Sequence, residues 1–178
     1  MKSGFVAIIG RPNTGKSTLI NSLVGQKVAI TSHHPNTTRH AIRGIVNGPD
    51  FQAVLVDTPG MHKPRTLLGR RLNEVVTESL ESVDIVIMTF PANEKTGAGD
   101  EHILNIVKNS RAKKIAVVTK IDTVAKETLP VRLMEVGGLA DWTEIIPVSA
   151  VKALQVDVLS TLLSKHLPEG PQLYPDDQ

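Results

Sequence analysis

The chain has 178 residues, 40% hydrophobic and 21% charged, with a formal net charge of +2 and no cysteine. That length suits one domain of about 100–200 residues, and the missing thiols exclude disulfides and thiolate metal sites and agree with a reducing compartment, the cytoplasm by default. The charge is too small to announce nucleic-acid binding by itself, and the few apolar residues ahead of Gly10 and Arg11 make neither a signal peptide nor a span of about 20 residues.

From Phe5 to about Leu167, short β-branched runs alternate with segments of helical period, the pattern of βαβ units. A strand over Phe5–Ile9 leads into Gly10-Arg11-Pro12-Asn13-Thr14-Gly15-Lys16-Ser17, which has the spacing of a phosphate-binding P-loop, and a helix over Lys16–Val24 follows. Glycine lets such a loop curl until successive N–H groups face inward, and the helix adds its positive dipole end. Gly10, Asn13, Thr14, Gly15, Lys16, Ser17 and Thr18 form the expected nucleotide-binding set, with Lys16 on the β- and γ-phosphates and Ser17 on a magnesium ion. The segment therefore points to a nucleoside triphosphate and a divalent cation.

Strands over Ala41–Val46 and Gln52–Val56 are separated by Asn47-Gly48-Pro49-Asp50, turn residues that make them a hairpin and one strand antiparallel. Asp57-Thr58-Pro59-Gly60 follows the second strand. Asp57 can hold a magnesium-bound water there, and the Gly60 N–H can meet a γ-phosphate. Asp-Thr-Pro-Gly is also good turn chemistry, and its place roughly forty residues after the P-loop favours the Walker-B reading.

A helix over Leu67–Ser82, a strand over Ile85–Thr89, a loop at Gly97-Ala98-Gly99 with no second phosphate site, a helix over Gly99–Ser110 and a strand over Lys114–Thr119 come next. At the end of that strand stands Thr119-Lys120-Ile121-Asp122. An aspartate in this place accepts two hydrogen bonds from guanine N1 and its exocyclic amine, donors that adenine lacks, so the motif argues for GTP over ATP. Lys120 would lay its stem along the base. A helix over Lys126–Gly137, a strand over Glu144–Pro147 and a helix over Ala153–His166 complete the alternation, with Ser149 and Ala150 offering backbone N–H to the guanine oxygen. The expected fold class is α/β: a doubly wound P-loop domain over residues 1–167, with a mostly parallel six-stranded sheet, one antiparallel strand and helices on both faces. Residues 168–178, proline-rich and acidic, read as a linker or loose tail. Trp142 and Tyr174 read as structural or incidental.

Together the P-loop, Thr37-Thr38-Arg39-His40, Asp57-Thr58-Pro59-Gly60-Met61-His62, Thr119-Lys120-Ile121-Asp122 and Ser149-Ala150 resemble the GTPase domain of the Era family, within the TrmE-Era-EngA group of translation-factor-class GTPases. The likeness covers Phe5 to about Pro168, and Gln26-Lys27-Val28-Ala29-Ile30-Thr31-Ser32 is similar to the Era segment leading into switch I. The resemblance implies hydrolysis of GTP to GDP and phosphate, and a switch in small-ribosomal-subunit maturation with 16S ribosomal RNA as partner. It also implies a carboxyl-terminal KH domain that carries RNA affinity, peripheral membrane association of the full-length protein, and a monomer in the GDP state. No GXXG loop occurs in these 178 residues, so RNA affinity is not carried over to them.

Two positions depart from the pattern. Thr119 stands where the family has an asparagine whose amide ties the base loop to the P-loop, and a hydroxyl replaces part of that tie. Met61 stands where Ras-like enzymes carry a water-orienting glutamine, and it neither donates nor accepts usefully. Asn13 matches the asparagine that in TrmE-like relatives holds a potassium ion, which makes Lys16, Thr38, Gly60 and Asn13 the expected catalytic set; a loop-stabilising amide is the plainer reading of Asn13. The metal set is Ser17, Thr38 and Asp57, with Thr37 competing for the switch I role.

His33, His34, Arg39, His40 and Arg43 gather around switch I, and Lys63, Arg65, Arg70 and Arg71 follow switch II. They read either as a solvated face or as a nucleotide-dependent surface for RNA. Adjacent His33 and His34 diverge too much for zinc. Two other functions stay open: a nucleotide-gated binding module with negligible turnover in this form, and a P-loop ATPase or small-molecule kinase, which Asp122 disfavours.

Overall fold

The computed structural model describes residues 1–24, 41–57, 80 and 82–174. Six strands form one sheet: β1 (Lys2–Ile9), β2 (Ala41–Asn47), β3 (Phe51–Asp57), β4 (Ile85–Pro91), β5 (Lys113–Thr119) and β6 (Glu144–Pro147), in the order β2-β3-β1-β4-β5-β6. Only the β2–β3 pair is antiparallel, as its four-residue turn requires; β1, β3, β4, β5 and β6 run parallel. The helices among the described residues are α1 (Lys16–Val24), α2 (Ala98–Lys108), α3 (Leu129–Gly137) and α4 (Val156–His166). The expected helix over Leu67–Ser82 lies outside the described residues apart from Leu80 and Ser82.

Strand side chains point alternately to opposite faces, so a sheet covered on both sides needs apolar residues at consecutive positions. Val6, Ile8, Leu55, Ile85, Ile87, Ile115 and Val117 pack with Leu19 and Leu23 of α1 and with Leu159 and Leu163 of α4. Their neighbours Ala7, Ile9, Val56, Val86, Met88, Ala116 and Val118 pack on the other face with Ile103 and Val107 of α2 and Val136 of α3. Trp142 closes this second layer, its ring edge-on to Phe90 at 5.8 Å and its Nε1 donating to the Val136 carbonyl at 2.8 Å. At the open side of the sheet, a bulge at Arg43 separates Ile42 from Gly44, and α1 closes on Gly44 so tightly that a Cβ there would sit 2.6 Å from Val24 Cγ2.

Element ends differ from expectation where tertiary contacts override local preference. Lys2, Ser3 and Gly4 are weak strand formers, yet β1 begins at Lys2 because all three pair in register with Phe51, Gln52 and Ala53. α4 starts at Val156 rather than Ala153 because a bridge between Ser149 and Leu154 closes a turn that sets Ala153 and Gln155 at φ of 55° and 65°. α3 starts at Leu129, after a turn in which Thr128 Oγ1 donates to the Ala125 carbonyl, with Pro130 in its first turn.

The segment read as a loose tail is tethered over residues 168–174. Ser3 N donates to the Pro168 carbonyl at 3.0 Å, Gly170 N to the Met1 carbonyl at 3.0 Å, and Ser3 Oγ to the Pro171 carbonyl at 2.6 Å. The fully buried Gln52 amide completes the dock: Oε1 accepts from Leu173 N (2.8 Å) and Tyr174 N (2.9 Å), and Nε2 donates to the Tyr174 carbonyl (2.7 Å) and Asn47 Oδ1 (3.0 Å). Proline and acid composition disfavours a helix but leaves backbone groups free to pair with an exposed strand end, which composition alone does not reveal.

Burial holds the phenol of Tyr174, the chain's one tyrosine, above its ordinary pKa of about 10, because the phenolate is the form that desolvation penalises. Gln52→Ala strands three backbone groups of the tail and is expected to cost about 1–3 kcal/mol in denaturant unfolding. Ultraviolet titration of that single phenol should return to about 10 in the variant.

Candidate nucleotide-binding site

Parallel strands share direction, so the carboxyl ends of β1, β3, β4, β5 and β6 lie along one edge, where Gly10, Asp57, Pro91, Thr119 and the segment after Pro147 emerge. Every sequence-expected residue within the described part falls on this edge. Asp57 ends β3 opposite Ala41, and its carboxylate belongs to the undescribed side chains; Thr37, Thr38, Gly60, Met61 and the basic groups flanking them lie outside the described residues, Arg43 apart.

The P-loop turns through two left-handed residues, Asn13 at φ 65° and Gly15 at φ 93°. Glycine carries that conformation at Gly15 without strain. Gly10 serves a different need: a Cβ there would run into Thr89 Oγ1, so the missing side chain is what lets β4 approach the loop. Lys16 Nζ arches back to donate to the Gly10 carbonyl at 2.7 Å, lying across the mouth of the loop. Asn13, Gly15, Lys16, Ser17, Thr18 and Lys120 line a cleft of about 290 Å³. Ser17 and Thr18 are exposed on the first turn of α1, whose N-terminal N–H groups favour an anion.

Beneath this rim lies a set of buried hydroxyls. Thr14 Oγ1 is 2.8 Å from the Arg11 carbonyl and 2.8 Å from Thr89 Oγ1. With one proton per hydroxyl, the consistent assignment has Thr14 donating to Arg11 and Thr89 donating to Thr14. Thr119 Oγ1 donates to the Thr14 carbonyl at 2.6 Å, so the end of β5 is fastened to the P-loop by a hydroxyl. Lys120, itself left-handed at φ 60°, adds a second tie: its Nζ donates to the Asn13 carbonyl at 2.7 Å.

Asp122 lies in a 3-10 turn, Ile121–Thr123, that hangs from the residue just after β6 through Ile121 N to the Val148 carbonyl at 3.3 Å. The carboxylate is exposed, and its Oδ1 accepts from the buried Ser149 Oγ at 2.7 Å. Ser149 Oγ in turn accepts from Lys152 N at 3.1 Å, so the hydroxyl both caps its own loop and aims the carboxylate. Ala150 follows on the same loop, half-buried.

The sequence signal for Thr89 is a lone hydroxyl near the end of the otherwise apolar Ile85–Pro91. Arg132 carries no such signal in the sequence: buried, it donates from Nη2 to the Pro91 carbonyl at 3.2 Å and from Nη1 to Thr96 Oγ1 at 2.9 Å, fixing the loop that leaves β4.

Residues 5–120 match the family model described as 50S ribosome-binding GTPase. The chain belongs to that family. It is 52% identical over 179 residues to the GTPase Era of Corynebacterium diphtheriae, an alignment that takes in 99% of this chain and 59% of that protein. Among solved structures, Aquifex aeolicus Era bound to GDP.AlF4- superposes with a TM-score of 0.82 at 38% identity, covering 100% of this chain and 61% of that one. Era in complex with MgGDPNP and nucleotides 1506–1542 of 16S ribosomal RNA gives 0.83, again at 38% identity, over 100% of this chain and 61% of that one. The Era resemblance seen in the motifs thus extends along the chain, which spans about 60% of the length of the curated relatives it matches.

Ser149→Ala removes the bond that aims Asp122 and the one that caps Lys152. Loss of one such charge-assisted bond corresponds to roughly tenfold in affinity. Displacement of a fluorescent GDP analogue should read a loss of that size, with the thermal unfolding midpoint moved by a few degrees at most.

Proposed function

We propose that the chain is a GTP-binding domain of the Era type that hydrolyses GTP to GDP and phosphate with Mg²⁺. The observation that carries the reading is the pair of ties from Thr119 to Thr14 and from Lys120 to Asn13, which make the base loop and the phosphate loop one unit. A purine aimed at Asp122 then has its phosphates delivered to the cleft beside Lys16. On binding, Lys16 would exchange the Gly10 carbonyl for phosphate oxygens, and Asp122 would accept hydrogen bonds from N1–H and the exocyclic amine of guanine.

Ser17 and Asp57 belong to the same edge of the sheet by their places in the chain, and their hydroxyl and carboxylate would make an all-oxygen donor set of the kind Mg²⁺ takes when it keeps waters and substrate phosphates as its remaining ligands. Bound there, the ion would neutralise charge developing between the β- and γ-phosphates. Thr38 would join it from switch I, and Gly60 would sense the γ-phosphate.

In this reading Asn13 supports a potassium ion in place of an arginine finger. Support comes from its exposure at the lip of the cleft and from Met61, which cannot orient water. The 16S RNA fragment in the Era complex supports small-subunit ribosomal RNA as the partner of the whole protein and GTP-dependent ribosome maturation as its role. No described helix is long and apolar enough to cross a membrane, which is compatible with work in the cytoplasm.

Two experiments test this. Asp122→Asn replaces two acceptors by one acceptor and one donor, which match the N1–H and C2 carbonyl of xanthine. GDP affinity should fall roughly a hundredfold while XDP gains, and an unchanged preference for GDP over XDP would remove Asp122 from base recognition. Single-turnover GTP cleavage should run faster in potassium than in sodium, and identical rates would refute the potassium role. A chain that binds GTP but leaves it intact over many hours would instead be a nucleotide-gated binding module.

A further inference from the structure

Arg11 is the one residue of the P-loop whose charged side chain turns away from the cleft. Its Nε donates to Asp100 Oδ1 at 2.8 Å, and its Nη1 lies 3.7 Å from Glu94 Oε1. Asp100, in the first turn of α2, is 0% exposed and has its second oxygen occupied by Gly97 N at 3.0 Å. A carboxylate removed from water so completely is tolerable only when paired and hydrogen-bonded. The pair also explains Gly99, where a Cβ would sit 2.8 Å from Arg11 Cδ. Gly99 is therefore the seat for the arginine stem.

The placement of this pair gives it a consequence for the reaction. Pro12 and Asn13 are exposed and make no side-chain hydrogen bond among the described residues, so the outer arm of the loop is held by Arg11 on its amino-terminal side and by Lys120 at the Asn13 carbonyl. The Arg11 carbonyl receives the Thr14 hydroxyl, while its guanidinium is bolted to α2. The hydrogen bond that the guanidinium donates to Asp100 holds it above its ordinary pKa, against a partial burial that acts the other way.

We propose that Arg11 is a positioning residue for GTP hydrolysis: through its ion pair with Asp100 it fixes the outer arm of the P-loop, and with it Asn13, in the geometry that the transferring phosphoryl group requires. The inference rests on the guanine-nucleotide reading above. Positioning errors of about 1 Å cost rate more than ground-state affinity, because only the transition state demands the exact arrangement.

The test compares the wild-type chain with Arg11→Lys and with the paired variant Arg11→Met/Asp100→Asn, which removes both charges at similar volume and leaves no buried carboxylate unpaired. Affinities for GDP alone and for GDP with aluminium fluoride are measured by calorimetry, alongside thermal unfolding. The expected result is GDP affinity within about threefold of wild type in both variants, and at least a tenfold loss of the extra affinity that aluminium fluoride confers in the paired variant, with Arg11→Lys recovering part of it. Equal losses for GDP with and without aluminium fluoride, tracking the unfolding midpoint, would reduce the pair to a fold-stabilising bridge and overturn the proposal. No loss would overturn it too, as would a wild-type chain that binds GDP and gains nothing from aluminium fluoride. A wild-type chain indifferent between GDP and ADP would instead sink the guanine reading itself, an outcome visible before any variant is made.

Discussion

The site hangs on Thr14. Its carbonyl receives the Thr119 hydroxyl, its own hydroxyl reaches the Arg11 carbonyl, and Thr89 supports that hydroxyl from β4. Three strands, β1 through its loop, β4 and β5, are thereby joined at one buried residue by short oxygen-to-oxygen contacts. In a water-excluded setting such bonds are strong when complete and costly when one partner is missing. That cost is what keeps a loop with two left-handed residues in a single shape.

A division of labour follows from burial. Thr14, Thr89, Thr119, Asp100 and Ser149 are buried and bond to the protein, whereas Asn13, Ser17, Thr18 and Asp122 are exposed, the first three lining the cleft. The buried set sets distances; in the proposed function the exposed set would meet the nucleotide. Thr119 shows how a substitution within the motif is absorbed. Its hydroxyl is shorter than an asparagine amide, yet it reaches the Thr14 carbonyl at 2.6 Å.

Much of the arrangement is legible in the sequence because it rests on spacing and period. α1 occupies Lys16–Val24 as its pattern requires, the apolar runs of β1, β3, β4 and β5 are near-continuous because both faces are covered, and the turn Asn47–Asp50 reverses the chain. What stays hidden is whatever depends on a distant partner. Gln52 looks like an ordinary strand residue until the segment at 168–174 arrives to use all of its amide, and Asp100 looks like a helix-capping acid until Arg11 is seen beside it. The starts of α3 and α4 shift by three residues for the same reason, since hydroxyl-bonded and bridged turns precede them. The roles of Thr38, Asp57 and Gly60 are read from motif spacing alone.

The most direct measurement is the guanine-nucleotide affinity of Thr119→Val, which keeps the shape at the end of β5 and deletes the single hydroxyl that ties the base loop to Thr14. If that tie holds the two halves of the site together, calorimetry should find GDP bound roughly tenfold more weakly, with the preference for GDP over ADP kept, since Asp122 is untouched. Undiminished GDP affinity, or a loss of the preference for guanine over adenine at constant phosphate affinity, would contradict it.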